Sequence, residues 1–597
     1  MKHNILLIQV DQMHAGCLSL LGNPNVKTPN LDRLAGEGAL FTNATSQSPI
    51  CMPSRVSMLS GQYPSTNRQF GFSGLCDRRT PWMQTTFKQA GYATGAFGKF
   101  HVVCIPEDCW TFDVSAPTLS EDEDLARPIG YTYRAYCQQH GISWRTDQLH
   151  CHPLEDGDDM PVVPASAKPD MHRWEQMACE SDVPAEHSLE TWTTDQCLAF
   201  LDEQPGRDQP FFIWLTYDRP HFPTTLPQPW FGRIRPDEIE LPPIPTAEDM
   251  ATWTRSMFDG HVNHLSIHSL GEATFRFILA TYFTLIEWLD AEIGRVLDRL
   301  RELGLDEDTT IVFCSDHGDQ AGWMGQCDKI MQACSEAITH APLIIRPAPM
   351  LYAAAKNARV HEPVELVDLF PTLCSLSGVE PPDGLEGHDL SEAIVAGAAL
   401  DAHRPVVCEQ FNRRMITHDG WKLVFYLDND TEHALFDLNT DPHGYRNVYH
   451  DPAAHSQRMR MKRVLLQFLL EMAYSKPTET DIAWVKRCLD PNDPHIPLLL
   501  RDFEGVHWYG GAAVIFHRHR HLLVPMWDEP MLFFGSGGKY RKSSQAIEFD
   551  LERIEPMLDL GISECMRHIA QLSPYEHRRV TQKPVTLEEA QAVAARV

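Results

Sequence analysis

Ser48-Pro49-Ile50-Cys51-Met52-Pro53-Ser54-Arg55-Val56-Ser57-Met58-Leu59-Ser60-Gly61 is the stretch around which the chain is organised. Pro53 has a fixed φ and no N–H, which suits the first turn of a helix, and Gly61 suits the position just past a helix end. Cys51 therefore falls at a predicted helix N-terminus, where unpaired backbone N–H groups and the helix dipole favour negative charge. Arg55, one turn further on, can lean back over the same spot. A cysteine chosen at random is more often a small buried hydrophobe. These neighbours point instead to anion chemistry.

The chain has 597 residues, enough for a large core and more than one domain. Hydrophobic residues make up 43% and charged residues 22%, as in an ordinary soluble protein. A formal net charge of -30 argues against a nucleic-acid surface and against docking on anionic membranes. An acidic protein that handles an anionic substrate must build a local positive pocket, so lysine and arginine near Cys51 carry the information. The N-terminal apolar run Ile5-Leu6-Leu7-Ile8-Gln9-Val10 is too short for a membrane span and lacks a small-residue cleavage site. A cytoplasmic protein is expected. The 16 cysteines show no paired zinc-type spacing, which favours reduced thiols over a disulfide framework.

Asn4–Val10 reads as a central parallel strand covered on both faces, with Asp11-Gln12 at its C-terminal end. Thr28-Pro29 caps and opens a helix towards Gly36–Gly38. After the Cys51 helix, Thr80-Pro81 opens another, closed by Gly91, and Tyr92–Phe97 is a strand ending in Gly98-Lys99-Phe100-His101. Residues 102–184 have no clear period, contain the acidic run Glu121-Asp122-Glu123-Asp124, and read as an insertion over the strand ends. Within it His150-Cys151-His152 lacks a second cluster at ligand spacing and reads as a plain loop. Helical patterns return at Ser188–Leu201, Ala273–Leu303 and Leu366–Leu376, with strands at Phe211–Thr216, Thr310–Cys314 and Pro342–Arg346.

This alternation predicts an α/β fold: a doubly wound, mostly parallel sheet with helices on both faces. From about Arg404 the pattern changes to short strands at Val406–Glu409, Arg414–Thr417, Lys422–Tyr426 and Ala434–Asp437, then a helix near Ser456–Tyr474. A small C-terminal antiparallel sheet is expected there. The division is 1–400 for the catalytic domain, 401–475 for the small sheet and its helix, and 476–597 for an extension serving as a lid or in oligomerisation. In the extension, Ala512–Pro525 with Met531–Gly535 is a hairpin candidate, with helices near Leu551–Leu572 and Thr586–Arg596.

Asp11, Lys99, His221 and Asp316 come from four distant parts of the chain, yet each directly follows a predicted strand. In open α/β sheets the crevice beyond the carboxyl ends of the strands is where ligands bind. Singly, Asp11 can be a turn former, His221 a loop histidine beside prolines, and Lys329 a solvated charge. Their joint placement is much harder to obtain by chance. Asp11-Gln12 and Asp316-His317 together offer two carboxylates, an amide oxygen and an imidazole, enough to hold one divalent cation.

Cys51-x-Pro53-x-Arg55 followed by Leu59-Ser60-Gly61 resembles the signature of the type I sulfatases of the alkaline phosphatase superfamily. Gly98-Lys99-Phe100-His101 and Pro220-His221-Phe222-Pro223 are similar to that family's Gly-Lys-Trp-His and Pro-His-x-Pro elements. Lys329, Ser335-Glu336, Ala341-Pro342-Leu343-Ile344-Ile345, Trp288–Gly294 and Val367–Thr372 also follow its pattern. Gln12 and His317, where many sulfatases have all-oxygen ligands, look like choline sulfatases and phosphonate monoester hydrolases. The resemblance covers most of residues 4–450.

The resemblance implies hydrolysis of an organic sulfate monoester by a formylglycine formed from Cys51 by a formylglycine-generating enzyme. It implies one divalent cation, Mn2+ or Ca2+, held by Asp11, Gln12, Cys51, Asp316 and His317. Lys99 and Lys329 then neutralise the sulfuryl oxygens, His221 protonates the leaving oxygen, His101 takes the proton of the second hydroxyl, and Arg55 holds the formylglycine. Partners follow as a small anionic sulfate ester and the maturation enzyme, with a homo-oligomer expected and neither nucleic acid nor membrane. Phe72 stands where choline sulfatases and phosphonate monoester hydrolases have an asparagine. The Lys99/His101 pair, usually lacking in phosphonate monoester hydrolases, favours sulfate. A phosphonate monoester or phosphodiester hydrolase with the same nucleophile is the rival reading, and an inactive anion-binding relative with unconverted Cys51 is a third. The tryptophans Trp110, Trp144 and Trp174 can stack on a substrate ring, although core packing is the commoner use.

Overall fold

A computed structural model describes residues 2–142 and 178–473 with short gaps, the backbone of short strands between 503 and 542, and residues 585–595. Eight strands form the main sheet: β1 (Asn4–Asp11), β2 (Ala39–Phe41), β3 (Ala93–Gly98), β4 (Val114–Pro117), β5 (Phe211–Pro220), β6 (Thr309–Ser315), β7 (Leu343–Arg346) and β8 (Ala358–Val360). Their order across the sheet is β8-β2-β7-β6-β1-β5-β3-β4. Only β7 runs against its neighbours β6 and β2; the other pairings are parallel. The doubly wound, mostly parallel α/β fold expected from the alternation is the fold observed.

Side chains alternate across a strand, so a central strand serves two cores. On β1, Leu6, Ile8 and Val10 pack with helices α1 (Pro29–Glu37), α4 (Leu189–Asp202) and α5 (Glu272–Glu302). Ile5 and Leu7 face the opposite layer, made by α2 (Cys51–Ser60), α3 (Met83–Gln89) and α6 (Leu369–Ser377). All eight residues of β1 are buried, which is why Ile5–Ile8 is apolar at four successive positions rather than at alternate ones.

Several boundaries move. Helix α3 starts at Met83 with Trp82 at its N-cap, two residues beyond the expected Thr80-Pro81 start. Leu366–Asp368 is a tight 3-10 turn, and α6 begins after it. Thr28 stands at the N-cap of α1, but its side chain does not cap. Asp290 does this from α5, accepting from Asn30 N at 3.1 Å and Leu31 N at 2.9 Å. Within 102–184, residues Val114–Pro117 form the edge strand β4 and Tyr133–His140 form a helix. The cluster His150-Cys151-His152, together with Trp144 and Trp174, lies outside the described residues. Trp110 is buried among Phe100, Phe112 and Trp214, so its ring serves the core.

The small antiparallel sheet is present as four consecutive strands, Val406–Gln410, Arg413–His418, Trp421–Tyr426 and Ala434–Asp437, followed by helix His455–Ala473. Further on, the hairpin closes within Ala512–Pro525. Met531–Leu532 pairs with Arg541–Lys542 instead of joining it. Helix Leu587–Ala594 is present, while Leu551–Leu572 lies outside the described residues. No helix among the described residues is long and apolar enough to cross a membrane. The described cysteines form no disulfide.

Candidate active site

Strand register assembles the site. Val10 pairs with Ser315, so the residues that follow, Asp11 and Asp316, emerge side by side. On the other flank Gln9 pairs with Thr216, but Asp11 pairs with Pro220, a slip of two residues in β5. Without that irregularity Asp11 would sit opposite Asp218. With it, Pro220 stands opposite Asp11 and His221 comes out beside it. Gly98 ends β3 at φ 106°, and a Cβ there would lie 1.8 Å from the Thr216 carbonyl oxygen. Only glycine lets β3 close on β5 and deliver Lys99 to the same place.

Cys51 is the first residue of α2, as its motif predicts, and the whole helix is buried. Arg55, one turn on, is fully buried and joins Asp316 Oδ2 at 2.8 Å and Asp11 Oδ2 at 3.1 Å. It also donates to Thr216 Oγ1 at 2.7 Å and to the Lys99 carbonyl. Its fork bridges the two carboxylates, as a planar guanidinium can, and its charge also acts on the Cys51 sulfur. Lys99 Nζ lies 2.7 Å from Asp11 Oδ2. Burial and Cys51 push the Asp11 carboxyl up, but Lys99, His221 and Arg55 outweigh them and leave it well below the usual range. Burial opposes the charge on Lys99, yet Asp11 and Cys51 hold its ammonium above its ordinary value.

Around the Cys51 sulfur stand Lys329 Nζ at 3.2 Å, His317 Nε2 at 3.4 Å and Asp11 Oδ1 at 3.6 Å. Burial pushes the thiol up, but Lys329, Lys99 and His317 together hold it well below its ordinary value, with a hydrogen bond from His101 adding to this. His221 Nε2 is 2.7 Å from Lys329 Nζ, while its Nδ1 meets the Phe222 carbonyl. That second contact assigns the proton to Nδ1 and turns Nε2 to the site. The loop bearing His221 is braced by buried Arg219, which donates to the Pro223 carbonyl at 2.6 Å and to Thr225 Oγ1 at 2.9 Å. His101 adopts a left-handed φ of 49°, and its ring stacks on Phe72, centroids 5.4 Å apart.

Asp11, Cys51, Asp316 and His317 place one ligand atom each within 4.8 Å of one another, an arrangement able to hold a metal ion. His317 Nδ1 bonds the Gly318 carbonyl at 2.9 Å, which leaves Nε2 as the coordinating nitrogen. Gln12 sits at φ 66°, and its Oε1 is buried without a hydrogen-bond partner. A buried acceptor of this kind needs a cation or a donor. The donor set of carboxylate and amide oxygens with one imidazole therefore fits a single divalent ion.

The structure thus brings together Asp11, Gln12, Cys51, Arg55, Lys99, His101, His221, Asp316, His317 and Lys329. It also adds residues that sequence reading passed over. Asp122, from the acidic run, is buried and accepts from Phe100 N at 3.1 Å and His101 N at 2.6 Å, fixing the Lys99–His101 loop. Asp319 and Asp328 hold the Gln12 amide. The spacing of Asp319 directly after Ser315-Asp316-His317-Gly318 was a usable signal; Asp122 gave none, since a charge run normally marks a solvated face.

Residues 3–379 match the sulfatase family, and residues 322–470 match the C-terminal part of N-sulphoglucosamine sulphohydrolase. An ulvan-active sulfatase of Formosa agariphila is 29% identical over 394 residues, 66% of this chain and 65% of that protein. An arylsulfatase of Clostridium perfringens is 27% identical over 486 residues, 79% of this chain and 95% of that protein. The solved phosphonate monoester hydrolase of Silicibacter pomeroyi superposes with a TM-score of 0.64 at 25% identity, covering 79% of this chain and 96% of its own. A family match over more than half of the chain, joined to a site of this construction, establishes that the chain belongs to the sulfatase family of the alkaline phosphatase superfamily, the sulfuric ester hydrolases.

Proposed function

We propose that the chain hydrolyses an organic sulfate monoester after Cys51 is converted to formylglycine. The observation that carries this reading is the setting of the Cys51 sulfur, at the N-terminus of α2 with Lys329 at 3.2 Å and His317 at 3.4 Å. In the mature protein this sulfur stands for the hydroxyl oxygens of a formylglycine hydrate. The hydrate supplies two geminal hydroxyls, one to displace the alcohol from sulfur and one whose deprotonation releases sulfate. A divalent ion, Mn2+ or Ca2+, held by Asp11, Gln12, Asp316, His317 and residue 51 supplies Lewis acidity towards the sulfuryl oxygens and the hydrate.

The chain's own residues do the rest. Lys99 and Lys329 bring two positive charges against the sulfuryl oxygens. His221, in its imidazolium form, gives its Nε2 proton to the leaving oxygen as the S–O bond breaks, and is left as the neutral Nδ1–H ring whose Nε2 accepts from Lys329. His101, within hydrogen-bonding reach of residue 51, accepts the proton of the second hydroxyl. Arg55 fixes Asp11 and Asp316 in their orientation. A thiol left unconverted has no second hydroxyl, so its sulfated form would be trapped.

The same reading includes a formylglycine-generating enzyme as maturation partner, a cytoplasmic location and a homo-oligomer, with residues 476–597 serving as a lid or in oligomerisation. A second reading, hydrolysis of phosphonate monoesters or phosphodiesters at this site, is supported by the likeness to the Silicibacter pomeroyi enzyme. Sulfate monoesters and singly charged phosphodiesters are similar tetrahedral anions. Co-expression with a formylglycine-generating enzyme, mass spectrometry of the residue 51 peptide, and rates on aryl sulfate and aryl phosphonate test both. Aldehyde at position 51 with faster sulfate turnover is the expected result. A marked phosphonate preference reverses the ranking, and a persistent thiol supports an inactive relative.

A further inference from the structure

Gln12 contributes an amide, and an amide can face a cation with its oxygen or turn its nitrogen there. Two carboxylates decide which. Gln12 Nε2 lies 2.7 Å from Asp319 Oδ2 and 2.7 Å from Asp328 Oδ1. Ionised carboxylates only accept, and the amide nitrogen carries two hydrogens, so both are engaged and Oε1 is forced to the opposite side. Oε1 is the buried atom that lacks a hydrogen-bond partner. Each carboxylate is itself held: Asp319 Oδ1 accepts from Ala321 N at 2.6 Å, and Asp328 Oδ1 accepts from Lys329 N at 2.7 Å. The oxygen of Asp328 that grips Gln12 therefore also fixes the backbone of Lys329, whose Nζ reaches Cys51 and His221.

We propose that Asp319 and Asp328 are positioning residues that clamp the Gln12 amide so that Oε1 serves as a neutral cation ligand, with Asp328 tying that ligand to Lys329. The proposal rests on the reading that the cluster of Asp11, Asp316 and His317 holds a divalent cation. It explains why position 12 carries an amide. A carboxylate there would face two others across 2.7 Å contacts and would turn away from the site or unseat them.

Mn2+ titration of the purified full chain, read by the electron paramagnetic resonance of the free ion, tests the clamp without relying on turnover. Asp319→Ala combined with Asp328→Ala should weaken Mn2+ binding about 10- to 100-fold, as loss of residues that orient ligands commonly does. Asp328→Asn should stay near wild type, because its one oxygen can still accept from both Gln12 Nε2 and Lys329 N. Gln12→Glu should lose binding, and adding Asp319→Asn should restore it, its Nδ2 donating to the new carboxylate while Oδ1 still accepts from Ala321 N. Circular dichroism and thermal unfolding identify any variant that fails to fold, and the asparagine set then carries the test. Mn2+ affinity of the double alanine variant within twofold of wild type overturns the clamp. So does failure of Asp319→Asn to rescue Gln12→Glu. Absence of binding of both Mn2+ and, by calorimetry, Ca2+ by the wild-type chain overturns the cation reading itself, and the clamp with it.

Discussion

Arg55 and Asp316 form an ion pair at 2.8 Å in which neither side chain is exposed. The pair is sequence-distant, yet it joins the motif helix α2 to the end of strand β6. Its partner contact to Asp11 makes one guanidinium the counter-ion for both carboxylates of the site.

Removing Arg55 leaves buried Asp316 without its counter-ion and Asp11 with Lys99 alone, and breaking a buried pair in this way typically costs about 3–5 kcal/mol. Arg55→Ala should therefore lower the unfolding midpoint in urea as well as abolish turnover. Arg55→Lys should also fail to restore activity, since an ammonium cannot bridge Asp11 and Asp316. A lysine variant with wild-type stability and rate would show that the bridge is unimportant.

His221 faces Lys329 across 2.7 Å, and the proposed role is delivery of a proton to the leaving oxygen. His221→Ala should reduce kcat about 10²- to 10⁴-fold for alkyl sulfates, the usual yield of general acid catalysis. For 4-nitrophenyl sulfate, whose leaving group departs without a proton, the loss should be much smaller. Equal losses on both substrates would remove the acid role.

Asp290 caps α1 from α5, accepting from Asn30 N, Leu31 N and the Asn30 side chain. Asp290→Ala should strand these buried donors and cost about 1–3 kcal/mol in chemical denaturation, with kcat on a saturating substrate largely kept. A shift below a few tenths of a kcal/mol would mean that water replaces the cap.

His261 is fully buried beside His268, and its imidazole is pushed down to about 3, by burial first and then by its histidine neighbour. The unfolded chain takes up this proton below about pH 6.5, whereas the native chain does not. Native stability contributed by the neutral ring is thus complete above pH 6.5 and falls as pH drops towards 3, by up to about 1.4 kcal/mol per pH unit. Thermal unfolding between pH 7 and 4.5 should show a steeper loss in the wild type than in His261→Gln. Parallel curves would assign the acid sensitivity to other groups.

Much of the fold was legible because its signals are local. The apolar run Ile5–Ile8 of β1 reports burial on both faces, Pro53 and Gly61 bracket α2, and the period of 273–303 marks the long helix α5. The helix starts were less legible. The cap of α1 comes from Asp290, about 260 positions away, so Thr28 gave a sound local signal for a bond that it does not make. Residues 102–184 looked irregular because edge strand β4 has only four residues and takes its register from β3, leaving almost no periodicity to read.

The sequence by itself determined which chemistry is available: a cysteine opening a helix, carboxylates and bases that each follow a strand, and amide-plus-imidazole variants at 12 and 317. These are statements about residue type and position along the chain, and local backbone preferences suffice to make them. Only the tertiary structure decided which atoms meet. The two-residue slip between β1 and β5 sets Asp11 beside His221 rather than Asp218, and the packing of α2 turns Arg55 onto Asp316 and Asp11. The fold of the loop after β6 brings Asp319 and Asp328 to one amide. Such contacts depend on register and on the packing of layers, which are fixed by the sum of many distant burials and not by any single stretch of the chain.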